Sequence, residues 1–128
     1  MPTERPDARE LVEAVREFVE SEVQPQLEGS VAFHTRVAVN VLKIVERELE
    51  LGAGMDDARA RRLADLVGRE GELESLVREL SEGIRTGSHD LRTPGLAEHL
   101  RATVMDKLAI DNPRYESYRR AREAQTST

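Results

Sequence analysis

The stretch Gly29 to Leu51, GSVAFHTRVAVNVLKIVERELEL, decides the fold. At about 100° per residue, Arg36, Val39, Lys43, Glu46 and Glu50 fall on one narrow polar strip. Val37, Ala38, Val41, Leu42, Ile44, Val45 and Leu49 cover most of the remaining circumference. The pattern is helical, and an apolar arc this wide predicts a central helix touched by neighbours on more than one side. Ser30 is placed to cap its start, and Gly52-Ala53-Gly54 to break it after Leu51. Two ionisable residues, His34 and Glu48, interrupt the apolar arc about 40° apart. Fourteen positions of helix separate them by about 21 Å along the axis, so they cannot act on one another as a dyad.

Working outward, Asp7-Ala8-Arg9-Glu10 offers a capping box for a first helix, with Leu11, Val12, Val15, Phe18, Val19 and Val23 on one stripe. Gln24-Pro25 ends or kinks it, because the residue before proline is pushed out of the helical region. Towards the C-terminus, Asp56 or Asp57 is expected to cap a third helix reaching Val67. Gly68 and Gly71 then interrupt the pattern before a fourth helix carrying Leu73, Leu76, Val77, Leu80 and Ile84, with Gly87 just past its end. Thr93-Pro94 opens a fifth helix that stops at Asp111-Asn112-Pro113, where Asn112 caps a short final helix with Tyr115 and Tyr118. The expected fold class is therefore all-α: an antiparallel helical bundle of about five helices plus a short C-terminal helix. It forms a single domain over residues 1–128, with 1–6 and 119–128 loose.

Composition narrows the function classes. The 128 residues are 38% hydrophobic but contain only two Phe, two Tyr and no Trp, so the core must be built from aliphatic side chains. A net charge of -6 and the scarcity of stacking aromatics argue against nucleic acid as a partner. Cysteine is absent, which removes disulfides, thiolate metal sites and a cysteine nucleophile. The charged start MPTERPDARE lacks the apolar core of a signal peptide, and no run reaches the roughly 18 apolar residues of a membrane span, so a cytoplasmic location away from membranes is expected.

Chemistry has to be sought among embedded polar groups. His34 as a base or ligand and Glu48 as a perturbed carboxylate are the functional readings; hydrogen-bonded packing residues are the structural ones. Asn40 and Arg47, seven residues apart, share a face at the border of the polar strip and offer an anion contact or a tie to a loop. In Lys107 to Tyr115, KLAIDNPRY, a helix stop sits beside a cation and an aromatic. After Asp111, Asn112-Pro113 breaks and restarts the helix; Tyr115 either packs back against the bundle or, with Arg114, forms a partner-binding or anion-binding corner. The histidines His34, His89 and His99 fall at no metal-ligand spacing, no phosphate loop or nucleophile elbow is present, and neither a metal nor a cofactor is implied.

The segments FHTRVAVNVLKIVERELELG (33–52) and HLRATVMDKLAIDNPRY (99–115) together resemble a bacterial family of small all-helical proteins of unknown function. The resemblance extends over Arg5 to Tyr118, and its matching positions are His34, Arg36, Asn40, Arg47, Glu48, Asp111, Asn112, Pro113, Arg114 and Tyr115. It implies an accessory role beside acyl-CoA dehydrogenases or aminoglycoside-phosphotransferase-like kinases, and it carries no catalytic activity with it. The leading expectation is thus a non-catalytic interaction protein that binds a protein partner or forms a homodimer. The rival is a small ligand-binding protein or enzyme with a pocket around His34, Asn40, Arg47 and Glu48.

Overall fold

The computed structural model describes residues 4–126, and every regular element among them is helical. Residues 1–3 and 127–128, parts of the termini expected to be loose, lie outside the described residues. The five α-helices are α1 (Ala8–Phe18), α2 (Gly29–Val67), α3 (Leu73–Thr86), α4 (Leu96–Asp111) and α5 (Glu116–Thr126). The all-α class is as the sequence predicts. The chain divides into two compact units, Met1–Gly52 and Ala53–Thr128.

In the N-terminal unit, α1 starts as its capping box requires. The Asp7 carboxylate accepts from the Glu10 amide at 2.9 Å, and the Glu10 carboxylate accepts from the Asp7 amide at 3.1 Å. The end of the helix is less regular than Gln24-Pro25 implies. After Phe18 the chain widens into a π-turn at Val19–Val23 and tightens into a 3₁₀ turn at Gln24–Gln26 before Leu27 becomes extended. Proline at the second position of that last turn removes an amide that would have no partner there.

The largest departure from the sequence reading is α2. It runs unbroken from Gly29 to Val67, so the expected second and third helices are one, and Asp56 and Asp57 sit on its exposed surface instead of capping a new start. Ser30 is likewise inside the helix, which begins at Gly29 in the left-handed region (φ 67°). Gly52 and Gly54 are not among the positive-φ glycines and are helical. A glycine inside a helix costs only about 1 kcal/mol relative to alanine, which favourable neighbours readily offset. The two positions differ in their surroundings. A Cβ at Gly52 would meet the Glu48 carboxylate at 2.8 Å, whereas one at Gly54 would meet nothing within 4 Å. Gly54→Ala should therefore raise stability by about 0.5–1 kcal/mol in urea denaturation, through helix propensity alone. A loss of stability would show that the backbone at this point needs glycine.

The C-terminal unit has the better core. Leu63, Leu76, Leu80 and Leu96 form a buried cluster, ringed by Ala64, Leu66, Val67, Leu73 and Val77. It draws on the end of α2, on α3 and on the start of α4. Helix α3 ends as expected at Gly87, whose φ of 89° lets its amide reach the Ile84 carbonyl. Within α3, Gly83 is buried because the His89 ring lies against it; a Cβ there would fall 2.3 Å from the ring. Thr93-Pro94 does not open α4. Thr93 Oγ1 instead accepts from the Asp90 amide in a tight turn, and Gly95, at φ 84°, sits at the helix N-cap. Asn112 does not cap α5, which begins four residues later; its carbonyl accepts from the Tyr115 amide across the turn that joins α4 to α5.

Candidate functional site

The N-terminal unit is built around a polar contact. Glu46, on the strip expected to face solvent, is buried, and Arg16 of α1 grips it with two bonds, Nε to Oε2 at 2.8 Å and Nη2 to Oε1 at 3.0 Å. Glu20 extends the network, accepting from Arg16 Nη1 at 3.1 Å and from Lys43 Nζ at 3.0 Å. The Arg16 bonds hold the Glu46 carboxyl below the ordinary carboxylate range against the opposing effect of burial, and those of Lys43 and Arg16 lower Glu20. Val39, on the same strip, is also buried.

The middle of the strip is turned inward at Val39 and Glu46, and much of the apolar arc is turned outward. Val37, Val41, Val45 and Leu49 are all exposed, as are Val31 and Phe33 on the same side of α2. In α1, Leu11, Val15 and Phe18 form a second exposed stripe at steps of four and three residues. This inverts the reading of α2 as a packing helix surrounded by neighbours. Scattered exposed apolar residues are ordinary on a protein surface, but a continuous apolar helix face is a mark of an interaction surface.

The site residues expected from sequence are distributed as follows. His34 and Glu48 both lie on the exposed apolar face, His34 with its ring edge-on to Phe33 at 5.4 Å between centroids and Glu48 folded over Gly52. They are not brought together. Arg36 and Asn40 are exposed and Arg47 is half-buried, all on α2. In the C-terminal unit, Asp111 pairs with Lys107 at 3.0 Å one helical turn away, and Asn112 makes the turn already described. Arg114 is exposed, while Tyr115 borders a groove of about 410 Å³ lined also by Leu100, Val104, Leu108 and the buried Tyr118.

The sequence reading missed a second polar cluster, in the C-terminal unit. His99 is 4% exposed and accepts through Nδ1 a hydrogen bond from Arg62 Nε at 3.1 Å, which leaves the ring proton on Nε2. Thr103 joins them, donating to the His99 carbonyl at 3.0 Å and accepting from Arg62 Nη2 at 3.4 Å. A groove of about 460 Å³ opens beside the cluster, with Asp65, Leu66, Gly95 and Glu98 among its walls. Burial, reinforced by the positive charges of Arg62 and Arg59, holds the His99 imidazole below its ordinary value and so keeps it neutral.

That shift fixes a pH dependence. In the unfolded chain His99 takes a proton as the pH drops through about 6.5, but in the folded chain it does so only lower, so stability present above that pH is lost beneath it. Thermal unfolding at pH 7.5 and pH 5.5 should show a drop in melting temperature that His99→Gln diminishes. An equal drop in the variant would mean that other groups carry the effect.

Among the described residues no three His, Cys, Asp or Glu side chains converge on a metal site, and no helix is long and apolar enough to cross a membrane. Fold and surface together define an all-helical protein whose most prominent feature is an apolar face left uncovered in the single chain. The chain belongs to a family described as a domain of unknown function, DUF6285, whose model matches residues 25–115. That range contains both segments, 33–52 and 99–115, on which the family resemblance rests. No curated protein and no solved structure matches the chain.

Proposed function

We propose that this protein is a non-catalytic interaction protein that works through the exposed apolar faces of its N-terminal unit. The observation that carries this reading is the unbroken run of exposed Val37, Val41 and Val45 on α2, beside the exposed Leu11, Val15 and Phe18 of α1. The family resemblance supplies the partner class: acyl-CoA dehydrogenases or aminoglycoside-phosphotransferase-like kinases, beside which the protein acts as a cytoplasmic accessory subunit. The test uses such enzymes, purified and immobilised, with the full chain and with Val15→Asp/Phe18→Asp. Retention of the parent chain and its loss in the double variant is the expected result. Equal retention of both chains, or of neither, overturns the reading.

A ligand-binding role is the second reading, and a specific feature favours it. The groove beside His99 offers a neutral imidazole, the Arg62 guanidinium and two carboxylates around an open space. It lies apart in sequence from the residues 34–48 that the sequence reading grouped as a pocket. A thermal-shift screen of acyl-CoA and nucleotide ligands against the parent chain and His99→Gln decides it, since a ligand of this groove must lose its shift in the variant.

A further inference from the structure

The exposed face of α2 is palindromic. Read along its centre line, the residues are Ser30, His34, Val37, Val41, Val45, Glu48 and Gly52, with successive steps of four, three, four, four, three and four. All but Gly52, which is buried beneath Glu48, are exposed. The spacing is identical in both directions from Val41, and so is the chemistry in its outline: small at the ends, valine on either side of the centre, one ionisable group in between. The two ionisable groups are of complementary kind.

We infer that this face pairs with the same face of a second copy of the chain, the two α2 helices running antiparallel about a two-fold axis at Val41. In that arrangement residues equally far on either side of Val41 come level with each other, and those near the centre line meet. Val37 meets the partner's Val45 and His34 meets the partner's Glu48, the last contact occurring twice by symmetry. Phe33, about 80° to one side of the centre line, lies on the same flank as the partner's Leu51. His34 and Glu48 each lie seven residues from Val41, about 10.5 Å along the axis, so they come level across the interface. A parallel pairing would set His34 on His34 and Glu48 on Glu48. The antiparallel one sets a cation or hydrogen-bond donor against a carboxylate, which fixes register as well as orientation. The two residues too far apart to act within one chain thereby acquire partners in the other.

The area fits a modest dimer. Burying an aliphatic or Phe side chain fully removes roughly 60–120 Å² from water. The seven exposed residues of this face, Val31, Phe33, Val37, Val41, Val45, Leu49 and Leu51, are about half exposed. They therefore offer roughly 200–400 Å² of apolar surface per copy, or about 700–1,400 Å² of total interface once the usual polar share is added. That is the low end of specific interfaces, about 1,200 Å², and predicts a reversible dimer with a dissociation constant on the order of micromolar. The inference rests on the proposed reading of this unit as a protein-docking surface, and it assigns the α2 part of that surface to self-association while leaving the α1 stripe to the enzyme partner.

The chain has no cysteine, so single introduced cysteines report the geometry cleanly. Under oxidation, full-length Val41→Cys should give a covalent dimer. Val37→Cys and Val45→Cys should link when mixed but not alone, since each alone stands about 12 Å out of level with its own copy. In sedimentation equilibrium, Val41→Asp should weaken the dimer at least about 30-fold, as loss of a central contact does. His34→Glu and Glu48→Lys should each weaken it about tenfold, and the double variant, in which opposite charges again face each other, should recover to within about threefold. Unchanged helical circular dichroism in these surface variants excludes misfolding as the cause. A monomeric parent chain, cross-linking of Val37→Cys alone, or no recovery in the double variant overturns the inference. Enzyme retention that is lost only in Val15→Asp/Phe18→Asp would then leave the broader reading standing, so the two fail separately.

Discussion

Leu63→Ala should lower the stability of the C-terminal unit by about 3–4 kcal/mol, an effect matched among aliphatic truncations only by the equally buried Leu76. Leu63 is 1% exposed and belongs to the four-leucine cluster with Leu76, Leu80 and Leu96. Deleting its branched end removes the transfer free energy of three carbons and leaves a hole whose walls are on three different helices. Those walls are held by their own hydrogen-bonded backbones, so the site collapses only partly, and the cavity adds to the loss. Urea denaturation followed by circular dichroism measures the effect, and a change under about 1 kcal/mol would mean the cluster is loosely packed. Leu91, at 85% exposed, supplies the control: its replacement by alanine should be close to neutral.

Arg16→Ala should cost the N-terminal unit about 3 kcal/mol or more, although it removes a charged residue and not a core one. The reason is the residue left behind. Glu46 is 9% exposed and receives both of its Arg16 bonds within hydrogen-bonding distance, so truncation strands a buried carboxylate. Removing both partners is a different experiment. Arg16→Met/Glu46→Leu exchanges the pair for apolar volume and should recover most of the loss, because a buried ion pair scarcely exceeds its own desolvation cost. If the double variant were as unstable as the single one, the stranded charge would not be the cause. The pair also makes the unit acid-sensitive. Since Glu46 and Glu20 are held below the ordinary value, their contribution is fully present above about pH 4.5 and is lost as the pH falls below it towards their folded values. Hydrogen exchange in α1 at pH 6 and pH 3.5 reads this directly, and exchange should accelerate at the lower pH beyond its intrinsic pH dependence.

What could be read from the sequence was what is decided locally. The Asp7–Glu10 capping box and the left-handed Gly87 depend on residues within one turn, and both are found as expected. The points at which the structure departs from those expectations are decided by residues far away in the chain. Glu46 shares a strip with Lys43 and Glu50 whose charges favour solvent, but its partner Arg16 is thirty positions distant and draws it inward. Arg62 and His99 are thirty-seven positions apart, and no spacing rule connects them. The uncovered valines of α2 were legible as an apolar arc, yet the pattern cannot say whether an arc is buried in its own chain. The glycines at 52 and 54 suggest a break, but a cost near 1 kcal/mol each biases a helix towards ending without compelling it.

The π-turn at Val19–Val23, which precedes the matched residues 25–115, bears on how any relative that shares α1 should be aligned. A π-turn holds one residue more than an α-helix would need to cover the same rise, and such turns are the natural scars of single-residue insertions. Ser21 and Glu22 are the exposed members of the turn, whereas Glu20 is committed to Arg16 and Lys43. Homologues one residue shorter between α1 and α2 should have lost it at the position of Ser21 or Glu22, with an ordinary α-helix through the gap. An alignment that places the gap nearer the proline would leave Arg16, Glu20 and Glu46 in register and would misplace only Val23 and Gln24.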